Sequence, residues 1–170
     1  PSGITLSTER RQQVVDICRN ANILVLEDNP YGLLRFDGKP LTPLRAANPD
    51  DVIYMGSFSK IFAPGLRLGW ALVPAHLQRR YYLASEAVTL CPPTLNQMLV
   101  SAYLRDYDWR GQIETYRGLY KERCDAMLAA LDEYMPPGLS WTRPEGGFFV
   151  WVTLPDGVDT YPLLKQAIDA

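Results

Sequence analysis

The sequence is short of the residues from which metal centres and disulfide frameworks are built. It has one histidine, His76, and three cysteines, Cys18, Cys91 and Cys124. No two cysteines form a C-x-x-C pair, and the odd count argues against both a disulfide scaffold and a zinc site. The thiols read as reduced, mostly buried small hydrophobes of a cytoplasmic protein. Asp50-Asp51 has no further ligand residues around it, so it reads as an entry charge and not a metal site. No apolar run is long enough to cross a bilayer. The formal net charge is -2 with no basic or acidic block, which excludes an obvious nucleic-acid surface and a polybasic membrane patch. The opening residues lack both an initiator Met and the basic-then-apolar pattern of a signal peptide. They read as loop, as though the chain began inside a longer protein.

What is present is a globular composition, 47% hydrophobic over 170 residues, enough to bury a core. Ser7 is a good N-cap, with Glu9 in the first turn of a helix reaching about Arg19. Asn20-Ala-Asn22 is its stop. Ile23–Leu26 is a short apolar run suited to a strand buried on both faces. It ends in the polar turn Glu27-Asp-Asn-Pro-Tyr-Gly32. Val52–Met55 is a second strand, leading into Gly56-Ser-Phe-Ser-Lys60, and Leu68–Val73 a third. Pro74 opens a helix through about Glu86. After the Cys91-Pro-Pro93 break come helices near 94–104 and 109–134. Beyond Pro136-Pro-Gly138 the texture changes: 139–142 and 148–153 read as strands around the Arg143–Gly147 turn, and a last helix begins near Thr160. Tyr81, Tyr82, Tyr116 and Tyr120 fall on helices as core or interface aromatics, and Trp141 and Trp151 read as core. Alternating strands and helices make the chain α/β, with residues 1–135 as one unit and 136–170 as the start of another.

Lys60 in isolation would be a solvated surface charge. Its neighbours change that reading. Ser57 and Ser59 flank it with hydroxyls, Gly56 permits close backbone approach, and Arg67 follows one loop later between Gly65 and Gly69. Two hydroxyls and a guanidinium make a phosphate clamp, because arginine matches phosphate oxygens bidentately. The other strand end supplies a carboxylate, Asp28, and a phenol, Tyr31. Ligands of open α/β sheets bind outside the carboxyl ends of the strands, which is where all of these residues fall. An amine, an acid, a phenolic donor and a phosphate cup are what a pyridoxal 5'-phosphate (PLP) site requires.

Glu27-Asp-Asn-Pro-Tyr-Gly, Ser57-Phe-Ser-Lys and Ala63-Pro-Gly-Leu-Arg-Leu-Gly-Trp70 resemble the motifs of the class I/II, fold type I aminotransferases. The subgroup they resemble most contains the 2-aminoadipate and broad-specificity amino-acid enzymes. Pro1-Ser-Gly3 resembles the tail of that family's Asn-Pro-x-Gly loop. Pro144–Trp151 resembles its Gly-Gly-x-Phe-x-Trp stretch. The resemblance implies part of a large domain, a mostly parallel sheet flanked by helices, followed by the start of an α+β small domain. It implies that Lys60 forms the Schiff base with PLP and then shuttles a proton. Asp28 would pair with the pyridine nitrogen and Tyr31 with the phenolic oxygen, while Ser57, Ser59 and Arg67 hold the phosphate. It implies amino-acid and 2-oxo-acid substrates and a homodimeric parent.

The family's ring-facing Asn and substrate-carboxylate Arg fall outside the sequence, and Arg143 is too early to be that Arg. The isolated chain is therefore expected not to transaminate. Two further readings share these motifs. One is another fold type I enzyme, a β-lyase or cyclopropane-carboxylate synthase-like enzyme. The other is the aminotransferase-like body of a PLP-sensing winged-helix regulator.

Overall fold

The computed structural model describes residues 2–169; Pro1, the first residue of the Pro-Ser-Gly tail, lies outside them. Ser7 caps α1 (Thr8–Asn20), its hydroxyl accepting from the Arg10 N–H at 3.3 Å. Glu9 sits in the first turn, where its own backbone N–H and the Ser7 hydroxyl hold its carboxyl below the usual range. Asn22 adopts a left-handed φ of 53° just past the helix end, the conformation asparagine tolerates best after glycine.

The first strand is not where the apolar run places it. β1 spans Val25–Asp28, two residues later than expected, because the Ile23 N–H closes the helix end on Cys18 O and the ladder starts only at Val25, whose N–H meets Asp51 O. Nor is it buried on both faces: Leu26 is 62% exposed, while Glu27 on the opposite face is only 7% exposed. The Glu27 carboxylate accepts from the Leu44 and Arg45 N–H groups at 2.9 and 3.1 Å and lies 3.5 Å from the Arg11 guanidinium. It thereby caps the short helix α2 (Leu44–Ala47) and ties it to α1.

β2 (Val52–Ser57) pairs parallel with β1, Val25 opposite Val52 and Asp28 opposite Met55. β3 (Gly69–Leu72) returns antiparallel along β2, Ser57 opposite Gly69, so the sheet is mixed in order β1-β2-β3. The parallel pair needs a long crossover, which α2 occupies; the antiparallel pair needs only a loop. Helices α3 (Gln78–Thr89), α4 (Thr94–Asp106) and α5 (Trp109–Tyr134) follow. The α5 bounds match the sequence expectation: the Asp108 carboxylate caps it through the Gly111 N–H at 2.9 Å, and Pro136 follows its end. Val15, Leu34 and Val52 are the most deeply buried apolar residues, with Val100, Ile113, Leu128 and Leu131 extending the core along α4 and α5.

After α5, β4 (Ser140–Trp141) and β5 (Val152–Thr153) form a two-stranded antiparallel pair, and α6 (Thr160–Asp169) closes the described chain. β5 is much shorter than the expected 148–153. The ladder stops at the next pair, where the Trp151 N–H donates to the Thr142 hydroxyl at 3.0 Å in place of the Thr142 carbonyl. Trp151 is half exposed and does not sit in a core, and Tyr81 and Tyr82 of α3 are also exposed. No cysteine is fully buried: Cys91 is exposed, and Cys18 and Cys124 are half-buried. Burial raises the Cys124 thiol above its ordinary range, with the neighbouring Asp125 adding to it. Among the described residues no cluster of His, Cys, Asp and Glu could hold a metal, and no helix is long and apolar enough to cross a membrane.

Glu27→Ala strands the Leu44 and Arg45 N–H groups and removes the ion-pair partner of Arg11. The expected loss is about 2–3 kcal/mol of unfolding free energy, to be measured by urea denaturation; a loss below about 0.5 kcal/mol, the range of ordinary surface substitutions, would refute the capping role.

Candidate active site

Strand direction gathers the candidate residues. β1 and β2 are parallel, so their carboxyl ends share one sheet edge, and antiparallel β3 brings its amino end to the same edge. Asp28 is the last residue of β1, Ser57 the last of β2, and Arg67 lies two residues before β3 begins. The alternation of strand side chains puts Asp28, Met55 and Ser57 on one face, the face Leu26 leaves open.

The loop after β2 is held at both shoulders. Phe58 packs against Trp70 with ring centroids 4.7 Å apart, and Phe62 stacks on Tyr103 of α4 at 4.2 Å. The Phe62 and Ala63 N–H groups both donate to Phe58 O, at 2.9 and 3.1 Å, winding the segment that carries Lys60 into a turn. The Ser57 hydroxyl accepts from the Ser59 N–H at 3.0 Å and donates to Leu68 O at 3.5 Å. Lys60 is half-buried at the centre of this turn.

Arg67 has a left-handed backbone, φ 52° and ψ 41°. An L residue pays about 1–2 kcal/mol for that conformation. The turn is closed by the Arg67 N–H on Pro64 O at 3.4 Å, and the Asn96 side-chain amide of α4 donates to Leu66 O at 3.0 Å. The result points the guanidinium back over the serine loop, where Nη1 donates to Ser59 Oγ and Pro64 O, each at 3.3 Å. Among the described residues, Asp28, Lys60 and Arg67 form no ion pair with one another or with any other side chain. Thus a carboxylate, an ammonium and a guanidinium, none of them in an ion pair, stand beside two hydroxyls at one sheet edge, the guanidinium resting on Ser59 Oγ.

Tyr31 belongs to the same edge but to a different wall. Its ring lies edge-on to Phe148 and Phe149, centroids 5.1 and 5.9 Å away. It lines a cavity of about 530 Å³ together with Asn29, Tyr54, Arg35 and Phe148. Asp28, Ser57, Ser59, Lys60 and Arg67 lie outside that lining. The structure therefore joins Ser57, Ser59 and Arg67 by direct hydrogen bonds and brings Asp28, Tyr31 and Lys60 to the same edge without direct contact. Sequence reasoning missed Glu27, Asn29 and Asn96. Asn29 extends the ladder through its N–H on Met55 O at 2.9 Å and donates its amide to the Tyr54 hydroxyl at 3.2 Å. Glu27 and Asn29 lie within the Glu27-Asp-Asn-Pro-Tyr-Gly motif, which could have drawn attention to them, whereas no local signal distinguishes Asn96 from an ordinary helix residue. His76 is exposed, and Arg143 is engaged with Asp132 at 2.8 and 2.9 Å.

Residues 1–166 match the model of the family described as aminotransferase class I and II. The chain is 42% identical to aromatic-amino-acid aminotransferase 1 of Thermococcus litoralis over 99% of its own length and 40% of that protein's. It is 35% identical to the 2-aminoadipate transaminase of Thermus thermophilus, over 99% of the chain and 43% of the relative. Among solved structures, a Pyrococcus horikoshii kynurenine aminotransferase in complex with PMP superposes with a TM-score of 0.94 at 41% identity, over 99% of this chain and 42% of that one. The chain thus spans about two fifths of the length of these relatives.

Gly56 is the floor under the serine–lysine loop. A Cβ there would fall inside the Trp70 ring opposite it. Gly56→Ala is expected to push Trp70 off Phe58 and cost about 1–3 kcal/mol by overpacking; thermal unfolding and the near-ultraviolet circular dichroism of Trp70 read the change, and an unaltered spectrum would refute it.

Proposed function

This chain belongs to the aminotransferase class I and II family, and on that footing we propose that the protein is a PLP-dependent aminotransferase in which Lys60 attaches the cofactor. It moves an amino group between an L-amino acid and a 2-oxo acid. The observation that carries this reading is the gathering of Asp28, Lys60 and Arg67 at one sheet edge with the Ser57 and Ser59 hydroxyls, Arg67 already hydrogen-bonded to Ser59. Asp28 and Arg67 are exposed and Lys60 is half-buried, so all three are open to an incoming ligand. The donor set fits PLP: hydroxyls and a guanidinium for a phosphate, a carboxylate for a ring nitrogen, a phenol for a ring oxygen and an amine for an aldehyde.

When bound, PLP supplies an electron sink for negative charge at the amino acid's α-carbon. The chain's own residues do the rest. The Arg67 guanidinium, already on Ser59 Oγ, holds the phosphate with the Ser57 and Ser59 hydroxyls. Asp28 keeps a negative charge toward the ring nitrogen and so favours its protonated form. Tyr31 donates to the phenolic oxygen. The Lys60 amine, as a free base, would take up and give back the proton of the amino acid's α-carbon. The turn anchored by Phe58 and Phe62 limits where that amine can reach, which is what positioned acid–base catalysis requires.

Residues 1–135 form part of a cofactor-binding large domain that includes α5, and 136–170 begin a small domain. The protein acts as a homodimer in the cytoplasm with no nucleic-acid partner. Exposed apolar side chains along α3 and α4, among them Tyr82, Val88, Leu95 and Met98, support further protein contact there. The three free thiols support a reducing compartment.

Borohydride reduction with PLP, followed by peptide mass spectrometry, is expected to fix the phosphopyridoxyl label on Lys60. Lys60→Ala should abolish it, and an undiminished label in that variant would overturn the assignment. Arg67→Ala is expected to weaken PLP binding by roughly tenfold or more in a fluorescence titration, with unchanged affinity as the refuting result.

A further inference from the structure

Tyr31 carries one hydroxyl on a side chain with two rotatable bonds, and its own loop does little to fix the ring. The turn that follows is closed by the Leu34 N–H on Tyr31 O at 2.8 Å, which sets the backbone and leaves the ring free to swing. The ring is fixed from elsewhere. Phe148 and Phe149 meet it edge-on at interplanar angles of 63° and 89°. Phe148 is in turn backed by Tyr120 of α5, with centroids 4.6 Å apart. Aromatic pairs of this geometry are directional, so two of them at different angles define a ring orientation that one would not.

The segment that presents these phenylalanines is sewn to the Tyr31 loop by its backbone. Phe36 and Asp37 both donate to Glu145 O at 3.0 Å, and the Gly147 N–H donates to Leu34 O at 3.3 Å. The Arg35 guanidinium meets the Glu145 carboxylate at 2.9 Å. The seam is tight only because position 146 is glycine: a Cβ there would lie 2.6 Å from Arg35 Cα and 3.0 Å from Leu34 O, both backbone atoms that cannot step aside. Gly147 then turns with a φ of 78°, placing Phe148 against Tyr31.

We propose that Gly146, Phe148 and Phe149 are positioning residues that aim the Tyr31 hydroxyl at the cofactor's phenolic oxygen. The inference builds on the reading of Tyr31 as the donor to that oxygen. A hydrogen bond to an ionised oxygen stabilises the ionised form and holds its titration midpoint down, so misaiming the donor raises the midpoint.

The test uses the intact PLP-loaded protein and follows the visible absorbance of the bound cofactor against pH. Tyr31→Phe is expected to raise the midpoint by about one pH unit, the worth of a charge-assisted hydrogen bond. Gly146→Ala and Phe149→Leu are expected to raise it by a part of that amount, and neither should add anything in the Tyr31→Phe background. Phe149→Leu keeps the backbone seam and decides the matter alone if Gly146→Ala does not fold. Loop variants that titrate like the unsubstituted protein, while Tyr31→Phe shifts, would overturn the inference and leave the role of Tyr31 standing. Shifts that add to that of Tyr31→Phe would overturn it as well. A Tyr31→Phe protein with an unmoved midpoint would remove the role of Tyr31 and the inference with it.

Discussion

The parallel pairing of β1 with β2 is the constraint on which the site depends. Only because Val25 stands opposite Val52 and Asp28 opposite Met55 do the polar ends of both strands emerge at one edge. A one-residue slip would turn Asp28 to the opposite face and bring Glu27 out of its cap. Glu27 opposes such a slip. Its carboxylate is engaged with the start of α2 and with Arg11, on the face away from Asp28. Two adjacent carboxylates therefore have opposite assignments. One is buried and committed to structure; the other is exposed and uncommitted.

The second constraint is the return of β3. A loop that reverses direction brings Arg67 back to the end of β2 that it left, and the Phe58 N–H on Leu68 O, 3.1 Å, carries the ladder into that loop. Aromatic contacts on both sides then restrict the segment between. The charges of the site thus stand on a supported frame, in keeping with a binding edge whose orientation is set before anything occupies it.

Much of this was legible in the sequence, for identifiable reasons. α5 carries its own punctuation, Asp108 at one end and Pro136 at the other, so local chemistry sufficed. The serine–lysine–arginine grouping was legible because its members are close along the chain. What stayed hidden was decided by distant partners. The late start of β1 depends on Asp51 O, and the shortness of β5 on the Thr142 hydroxyl that takes the Trp151 N–H. The expectation of a strand covered on both faces treated Ile23–Leu26 as core, whereas Ile23, Leu24 and Leu26 are exposed in the described chain. Asn96 has a place at the site only because α4 passes behind the Arg67 turn, which no spacing in the sequence announces.

The left-handed backbone at Arg67 has a consequence for how this protein could be altered. Glycine would be the more comfortable residue there, since it adopts a φ near 52° without a side-chain penalty. Selection for thermal resistance alone would therefore favour discarding the guanidinium, and selection for binding would favour keeping it. Position 67 is a place where durability and use pull against each other, so screens that reward heat tolerance without demanding activity would erode the site first at its arginine.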